Sequence, residues 1–275
     1  MADAAPARQY HLGLVPGEFP ETVITSAHPE RVPKVAARFD REVAFSPEPS
    51  VRGGFVLRKG VYRGIEVGAV NSGMYGSSPT CLEELARLGC KTIIRSGTCA
   101  ALREDIACGH VIINTGALRL EGVTDFYVPP AFPAVSHPDT VLALIQAAEN
   151  LGIPYHVGIG ASTAGFYVPQ GRAGATGYLP PRARNLIPEL QEMGVLNFEG
   201  QVSTHFVLGA LYGFRAGAVL SVVANRVTGE FGGWEHEEQA ISVTLEAISI
   251  LADWDRRKAS AGRAYFYPGL AAASA

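Results

Sequence analysis

The sequence predicts an α/β domain built on a mixed, mostly parallel sheet. Short β-branched runs recur along the chain, and several are apolar on both faces, as in strands covered on each side. Amphipathic helical stripes alternate with those runs. The 31 glycines and 18 prolines are spread through the 275 residues rather than gathered in a linker, which fits many tight connections within one domain.

Thr22–Thr25 is the first strand; small residues follow it, and Pro29 opens a helix that carries Arg31. Phe55–Tyr62 and Ile65–Asn71 read as a strand pair. Ser78-Pro79 starts a helix because a proline in the first turn loses no hydrogen bond, and Gly89 stops it. Leu82, Leu85 and Ala86 share its apolar face. Thr92–Arg95 is a strand that enters a small-residue turn, Ser96-Gly97-Thr98, and Val111–Thr115 is the next strand. Val141, Leu144, Ile145, Ala148 and Leu151 form a helical stripe ending at Gly152. His156–Ala161, a short strand at Val195–Phe198 and Ala218–Ala224 complete the sheet. The last stripe is Ile241, Leu245, Ile248, Leu251 and Ala252. Beyond Trp254 the pattern fails, so residues 1–255 are expected to form one domain and 256–275 a C-terminal tail. The tail aromatics Tyr265, Phe266 and Tyr267 are candidates for docking on a neighbouring surface.

Composition excludes several function classes. Hydrophobic residues at 47% and charged residues at 18% exclude a disordered chain. A net charge of −3 and a pI near 6.2 exclude a broad basic field for nucleic acid or anionic membrane, so bound phosphate needs a local site. No apolar run approaches the ~18–20 residues of a membrane span. The N-terminus lacks a basic region followed by an apolar core, so a cytoplasmic protein is expected. Cys81, Cys90, Cys99 and Cys108 match no metal motif and are expected to be small buried thiols. The seven histidines contain no HExxH and no close pair, so no metal is expected.

Four segments carry candidate chemistry. In IIRSGTCAAL, Arg95 and Thr98 flank small residues that let backbone N–H groups approach an anion. In TSAHPERVPKVA, a helix N-terminus stands beside Arg31, a second anion cradle. In GFYVPQGRAG, Phe166 offers a stacking face, Gln170 an amide for a ring edge and Arg172 a donor to a ring carbonyl, a set that fits a uracil-like base. In MGVLNFEGQVSTHF, Glu199 and Gln201 stand at a strand end where polar groups can hold sugar hydroxyls. Taken singly, each segment also reads as ordinary structure: a turn, a capped helix, a surface loop, a helix start.

Together and in this order, the segments resemble the nucleoside phosphorylase-I family, most closely its uridine phosphorylase branch, from about His11 to about Trp254. HLGL, HPERVPKVA, RSGTCAAL, FYVPQGR, MGVLNFE and VVANR carry the resemblance. It implies a single three-layer α/β domain with a mixed, barrel-like central sheet flanked by helices. It implies a pentosyltransferase that splits a pyrimidine nucleoside reversibly into free base and ribose 1-phosphate. Inorganic phosphate is then the co-substrate, with no other cofactor. It also implies a homo-oligomer, subunits paired to share active sites and assembled into a hexamer, with no nucleic-acid or membrane partner.

Residue by residue, the resemblance assigns Arg31, Arg95 and Thr98 to phosphate, with Ala27 where phosphate meets the backbone. Arg52 matches an arginine, and His11 a histidine near the ribose, that reach a neighbouring subunit's site. Phe166, Gln170 and Arg172 match the base site, and Arg226 a support for its loop. Glu199, Gly200 and Gln201 match the ribose segment. Arg31, Arg95, Thr98 and Arg172 are expected to carry the chemistry.

The departures lie around the sugar and the phosphate edge. Ala27-His28 replaces a Gly-Asp pair, and Glu199-Gly200-Gln201 replaces Glu-Met-Glu, so Gly200 is expected to leave room below the sugar. Cys99-Ala100 replaces a Thr-Gly pair, and Gly53 stands where the branch has a cation-binding Glu, so no intersubunit cation is expected. Asn225 stands where the purine branch has an acid. A modified nucleoside is therefore a candidate substrate; a hydrolase of the same fold and a non-catalytic nucleoside binder are the alternatives.

Overall fold

The computed structural model describes residues 7–44 and 52–272; the start of the N-terminal stretch, the Ser50-Val51 flank of Arg52 and the end of the expected tail lie outside them. Among the described residues ten strands form one sheet, and five of them close on themselves. In the ring, β5 (Thr92–Ala101) pairs β10 (Arg215–Asn225), which pairs β6 (Val111–Leu120). Then β6 pairs β8 (Tyr155–Thr163), β8 pairs β9 (Asn197–Glu199), and β9 returns to β5. The ring is mixed, because β10–β6 and β9–β5 are antiparallel and the other pairings parallel. An arm extends from β5 through β1 (Thr22–Ser26), β4 (Ile65–Asn71), β3 (Leu57–Tyr62) and β2 (Arg41–Val43), while β7 (Ala134–Val135) adds to β6.

Helices cover both sides, which gives the three layers. Helices α3 (Pro138–Leu151) and α7 (Glu237–Ala261) bury Ala143, Leu144, Ile241 and Ile248 against Ile24, Ile94 and Val219 of the sheet. On the other side α2 (Ser78–Arg87) and α6 (Val202–Tyr212) bury Leu82, Leu85, Phe206 and Val207 against Ile93 and Leu220. Helix α6 is buried on every face from Val202 to Gly209, which explains its lack of an amphipathic stripe. Each fully buried side chain of this kind contributes ~1.5–3 kcal/mol. Parallel pairing sets Thr25 opposite Arg95 and Ser26 opposite Asn71, so the C-terminal ends of β1 and β4 meet β5 at Arg95. Ligands bind such sheets beyond those ends.

Several sequence expectations need correction. Ser96-Gly97-Thr98 is not a turn: β5 runs through it, because Ser96, Gly97 and Thr98 pair with Val219, Leu220 and Ser221 of β10. The first helix, α1 (Arg31–Ala36), begins two residues after Pro29. The last helix does not end near Trp254; it continues to Ala261, where Gly262 caps it with a φ of 63°. Lys258 holds that extension by ion pairs of 2.7 Å to Asp139 and 3.0 Å to Asp255. Phe266 stacks on Trp254 of its own chain at 3.9 Å, and a short α8 (Pro268–Ala272) follows. Cys81, Cys90 and Cys99 are buried free thiols, whereas Cys108 is only partly buried. Among the described residues no helix is long and apolar enough to cross a membrane.

Candidate active site

Arg95 stands inside β5 with 3% exposure, fixed by strands on both edges. Its guanidinium folds back over Gly97, where a Cβ would lie 3.1 Å from Cζ and 2.9 Å from Leu220 Cδ2, so any larger residue would have to push the guanidinium or Leu220 aside. Arg95 Nε lies 3.3 Å from Glu199 Oε2. Arg95 Nη1 is buried with no partner among the described residues. Burial pushes this guanidinium below its ordinary pKa; Glu199 opposes that shift and Arg31 adds to it.

Arg31 opens α1 and is buried as well. Its Nη2 donates to Thr98 Oγ1 at 3.2 Å, and its Nε lies 2.8 Å from Glu237 Oε2. Lys34, one turn later, also pairs with Glu237. Ser26, Arg31, Ser96, Gly97 and Glu237 line a small cavity here. Arg31, Arg95 and Thr98 therefore come together as expected from the sequence. Of the Ser26-Ala27-His28 run, Ser26 lines the cavity, and half-buried Ala27 lies just beyond the end of β1. His28 faces Glu30 at 3.6 Å. Cys99 points its thiol to Leu220 O at 3.9 Å and is held well above its usual pKa by burial. Ala100 continues the strand opposite Phe198 of β9.

Glu199 ends β9 and caps α6. Its carboxylate accepts from Gln201 N at 2.6 Å, Val202 N at 2.9 Å and the Ser162 hydroxyl. A carboxylate is favoured there by the positive end of the helix. Gln201, 1% exposed, donates Nε2 to Gly73 O, and its Oε1 is buried without a partner among the described residues. Gly200 does not leave room, contrary to the sequence expectation. A Cβ there would lie 2.5 Å from Tyr75 Cδ1, so the Tyr75 ring fills the space. Beneath the segment, His205 Nδ1 lies 2.9 Å from Gln201 O and Nε2 2.8 Å from Thr25 Oγ1. Burial, helped by the charge of Arg95, pulls the His205 pKa down to about 3, so the ring is neutral.

The loop after β8 holds the base-site candidates. Gln170, in a short 3-10 turn (Val168–Gln170), donates Nε2 to Thr163 Oγ1 at 3.0 Å and accepts from Arg172 Nη1 at 2.5 Å. The same Arg172 nitrogen donates to Phe166 O at 2.8 Å, and the guanidinium stacks 4.0 Å over the Phe166 ring. Arg226 Nη1 donates to Gln170 O at 3.0 Å, and its pKa falls to about 10 through burial and the charge of Arg172. Arg226 thus braces the loop through its backbone. Asn225 is spent on structure: Nδ2 donates to Arg103 O and Ile106 O, and Oδ1 accepts from Val227 N and Thr228 N.

His11 and Arg52 form a separate group. Arg52 N donates to His11 O at 2.8 Å, its guanidinium bonds Tyr10 Oη at 2.6 Å, and His11 Nδ1 lies 2.8 Å from the buried Glu84. Gly53 adopts a φ of 69°, with space for a Cβ limited by Phe55 at 3.3 Å. Among the described residues no hydrogen bond joins this group to the Arg95–Glu199 chain.

Sequence reasoning missed Glu237, Tyr75, His205 and Ser162. Glu237, Tyr75 and Ser162 reach the site across a long stretch of chain, whereas His205 lies within the MGVLNFEGQVSTHF segment, four residues after Gln201, on a helix with no polar stripe to single it out. Among the described residues no group of three or more His, Cys, Asp or Glu is placed to hold a metal.

Comparison with known proteins agrees with this geometry. The phosphorylase superfamily model matches residues 21–253. A uridine phosphorylase of Thermococcus kodakarensis is 43% identical over 265 residues, covering 95% of this chain and 93% of that protein. A uridine phosphorylase of Salmonella typhimurium is 33% identical, covering 90% and 97%. A guanosine phosphorylase of Halorubrum lacusprofundi is 28% identical, covering 89% and 100%. With the closed mixed ring, two buried arginines at its rim and matches that span both partners nearly end to end, the chain belongs to the phosphorylase superfamily, in the uridine phosphorylase branch of nucleoside phosphorylase-I.

Proposed function

We infer that this protein catalyses the phosphate-dependent cleavage of a uridine-like nucleoside to free base and ribose 1-phosphate. The observation that carries the reading is the meeting of Arg31, Arg95 and Thr98, with Arg95 Nη1 buried and unpartnered. A buried donor without an acceptor is costly, and an anion supplies the acceptor. The phosphorylase relatives favour phosphate as that anion.

Phosphate held by the two arginines and Thr98 lies beneath C1′. Its charge stabilises the oxocarbenium ion that develops there, and one of its oxygens then forms the C1′–O bond as the C1′–N bond breaks. The bond's electron pair leaves with the base and spreads onto the ring carbonyls. Gln170 and Arg172 donate to those oxygens and so bind more tightly as charge appears. Both already hold each other at 2.5 Å, so little ordering remains to be done when the base arrives. Glu199 keeps Arg95 in place and caps α6, while Gln201 Oε1 accepts from a ribose hydroxyl. No covalent enzyme intermediate and no cofactor other than phosphate is needed.

His11 and Arg52, grouped away from this chain's Arg95, complete the site of a neighbouring copy, which makes the active unit at least a dimer and, by the family pattern, a hexamer. A hydrolase is not favoured, because a neutral water in place of phosphate gives the buried, unpartnered Arg95 Nη1 no anionic acceptor.

Base release from uridine, 2′-deoxyuridine and thymidine, with and without phosphate, tests the reading. Release that requires phosphate and is lost in Arg95→Ala is expected. Equal release without phosphate would make the protein a hydrolase.

A further inference from the structure

We propose that Tyr75 is a sugar-contacting, specificity-determining residue, and that the turn carrying it is matched to the Gly200-Gln201 pair as one floor of the sugar pocket. The inference rests on the functional reading above and deepens it. Three observations carry it. Tyr75 and Arg63 are the non-glycine residues with positive φ among those described, and Tyr75 is held at 49° between Gly73 and Gly76, a conformation that favours glycine. Its ring lies so close to Gly200 that a Cβ there would meet Cδ1 at 2.5 Å and Cε1 at 2.7 Å. Gln201 donates its amide to Gly73 O in the same turn and keeps Oε1 buried and unpartnered.

Each feature explains another. A glutamate at 201 would set a carboxylate against the Gly73 carbonyl, whereas the amide bonds it. A side chain at 200 would expel the ring, whereas glycine admits it. The phenol stands within the electrostatic reach of Arg172, Glu199 and Arg95, the groups assigned to base, sugar and phosphate. A half-buried ring at that junction faces the sugar that joins base to phosphate.

Binding of uridine, uracil and inorganic phosphate is measured by titration on full-length wild type, Tyr75→Gly, Gly200→Ala and the double variant, with kcat and KM for uridine alongside. Glycine fits a φ of 49°, so Tyr75→Gly keeps the turn, and its melting temperature verifies the fold. The expected result is uridine affinity at least about tenfold weaker in Tyr75→Gly, with uracil and phosphate affinities within about twofold of wild type. Gly200→Ala should weaken uridine similarly, and the double variant should be no worse than Tyr75→Gly, because the ring that the new Cβ displaces is gone. Unchanged uridine binding in Tyr75→Gly, an equal loss for uracil, or losses that multiply in the double variant would overturn the inference alone. A wild type that binds no uridine would overturn the functional reading with it.

Discussion

Arg95 and Glu199 form a buried ion pair, 3.3 Å from Nε to Oε2. Glu199 holds the first turn of α6, and Arg95 Nη1 is without a partner among the described residues. Removing the arginine therefore takes a partner from a buried carboxylate as well as from the proposed phosphate site. Arg95→Ala is expected to cost ~3–5 kcal/mol of stability and to abolish phosphate-dependent release. Arg95→Lys should regain much of the stability and little of the activity, since lysine lacks the fork that reaches both anions. Urea unfolding beside a phosphorolysis assay separates the two losses; full activity in Arg95→Lys would contradict the assignment.

Gln170 and Arg172 act as one unit at 2.5 Å, so their substitutions should not add. Gln170→Ala and Arg172→Ala are each expected to lower kcat/KM for uridine by about a hundredfold, or ~3 kcal/mol. The double variant should fall little further. Losses that multiply would mean that the two side chains bind the base independently.

Glu237 pairs with Arg31 at 2.8 Å beside the cavity, so in the proposed site it tempers the charge offered to phosphate. Glu237→Gln keeps an acceptor for Arg31 Nε but removes the negative charge, so KM for phosphate should fall about two- to fivefold. Glu237→Ala frees the arginine and should raise it. An unchanged or higher phosphate KM in Glu237→Gln would show that the carboxylate does not set the field there.

His205 takes up its proton only near pH 3 in the fold, whereas an unfolded histidine does so near its ordinary value of ~6.5. The neutral ring's contribution is therefore complete above ~6.5 and is lost as pH falls below it, by about tenfold in the folding constant per pH unit. His205→Asn should flatten the slope between pH 6.5 and 5 in denaturant unfolding. Parallel slopes in the two proteins would assign the acid sensitivity to other groups.

Phe266 stacks on Trp254 with ring centroids 3.9 Å apart and planes 5° apart. Phe266→Ala should lower stability by about 1–2 kcal/mol through lost area and stacking, with kcat for uridine unchanged. An unaltered melting temperature would mean that the C-terminal segment adds nothing to the fold.

Much of this was legible in the sequence where chemistry is local. Phe166, Gln170 and Arg172 lie within one loop, and Arg95 and Thr98 within one strand. The β-branched apolar runs and the helical stripes marked the sheet and its covering. What stayed hidden was set by pairing across the chain. Ser96-Gly97-Thr98 has turn composition, and only its long pairing with β10 holds it straight. The basic run after Trp254 looked like a tail, yet Asp253, Asp139 and Asp255 neutralise Arg257 and Lys258 in a continuous helix. Tyr75 and Gly200 are far apart in sequence, and neither residue alone predicts the other.

The unbroken course of β5 through Arg95 and Thr98 divides the labour of the site. Arg95 and Thr98, two of the three groups proposed for phosphate, are welded into a strand paired on both edges, whereas the groups proposed for the base ride on a connection between β8 and α4 (Pro181–Arg184). The first pair belongs to the ring itself; the second set lies on a loop between its elements. Over many generations, such a molecule can exchange one leaving group for another while the attacking anion stays the same.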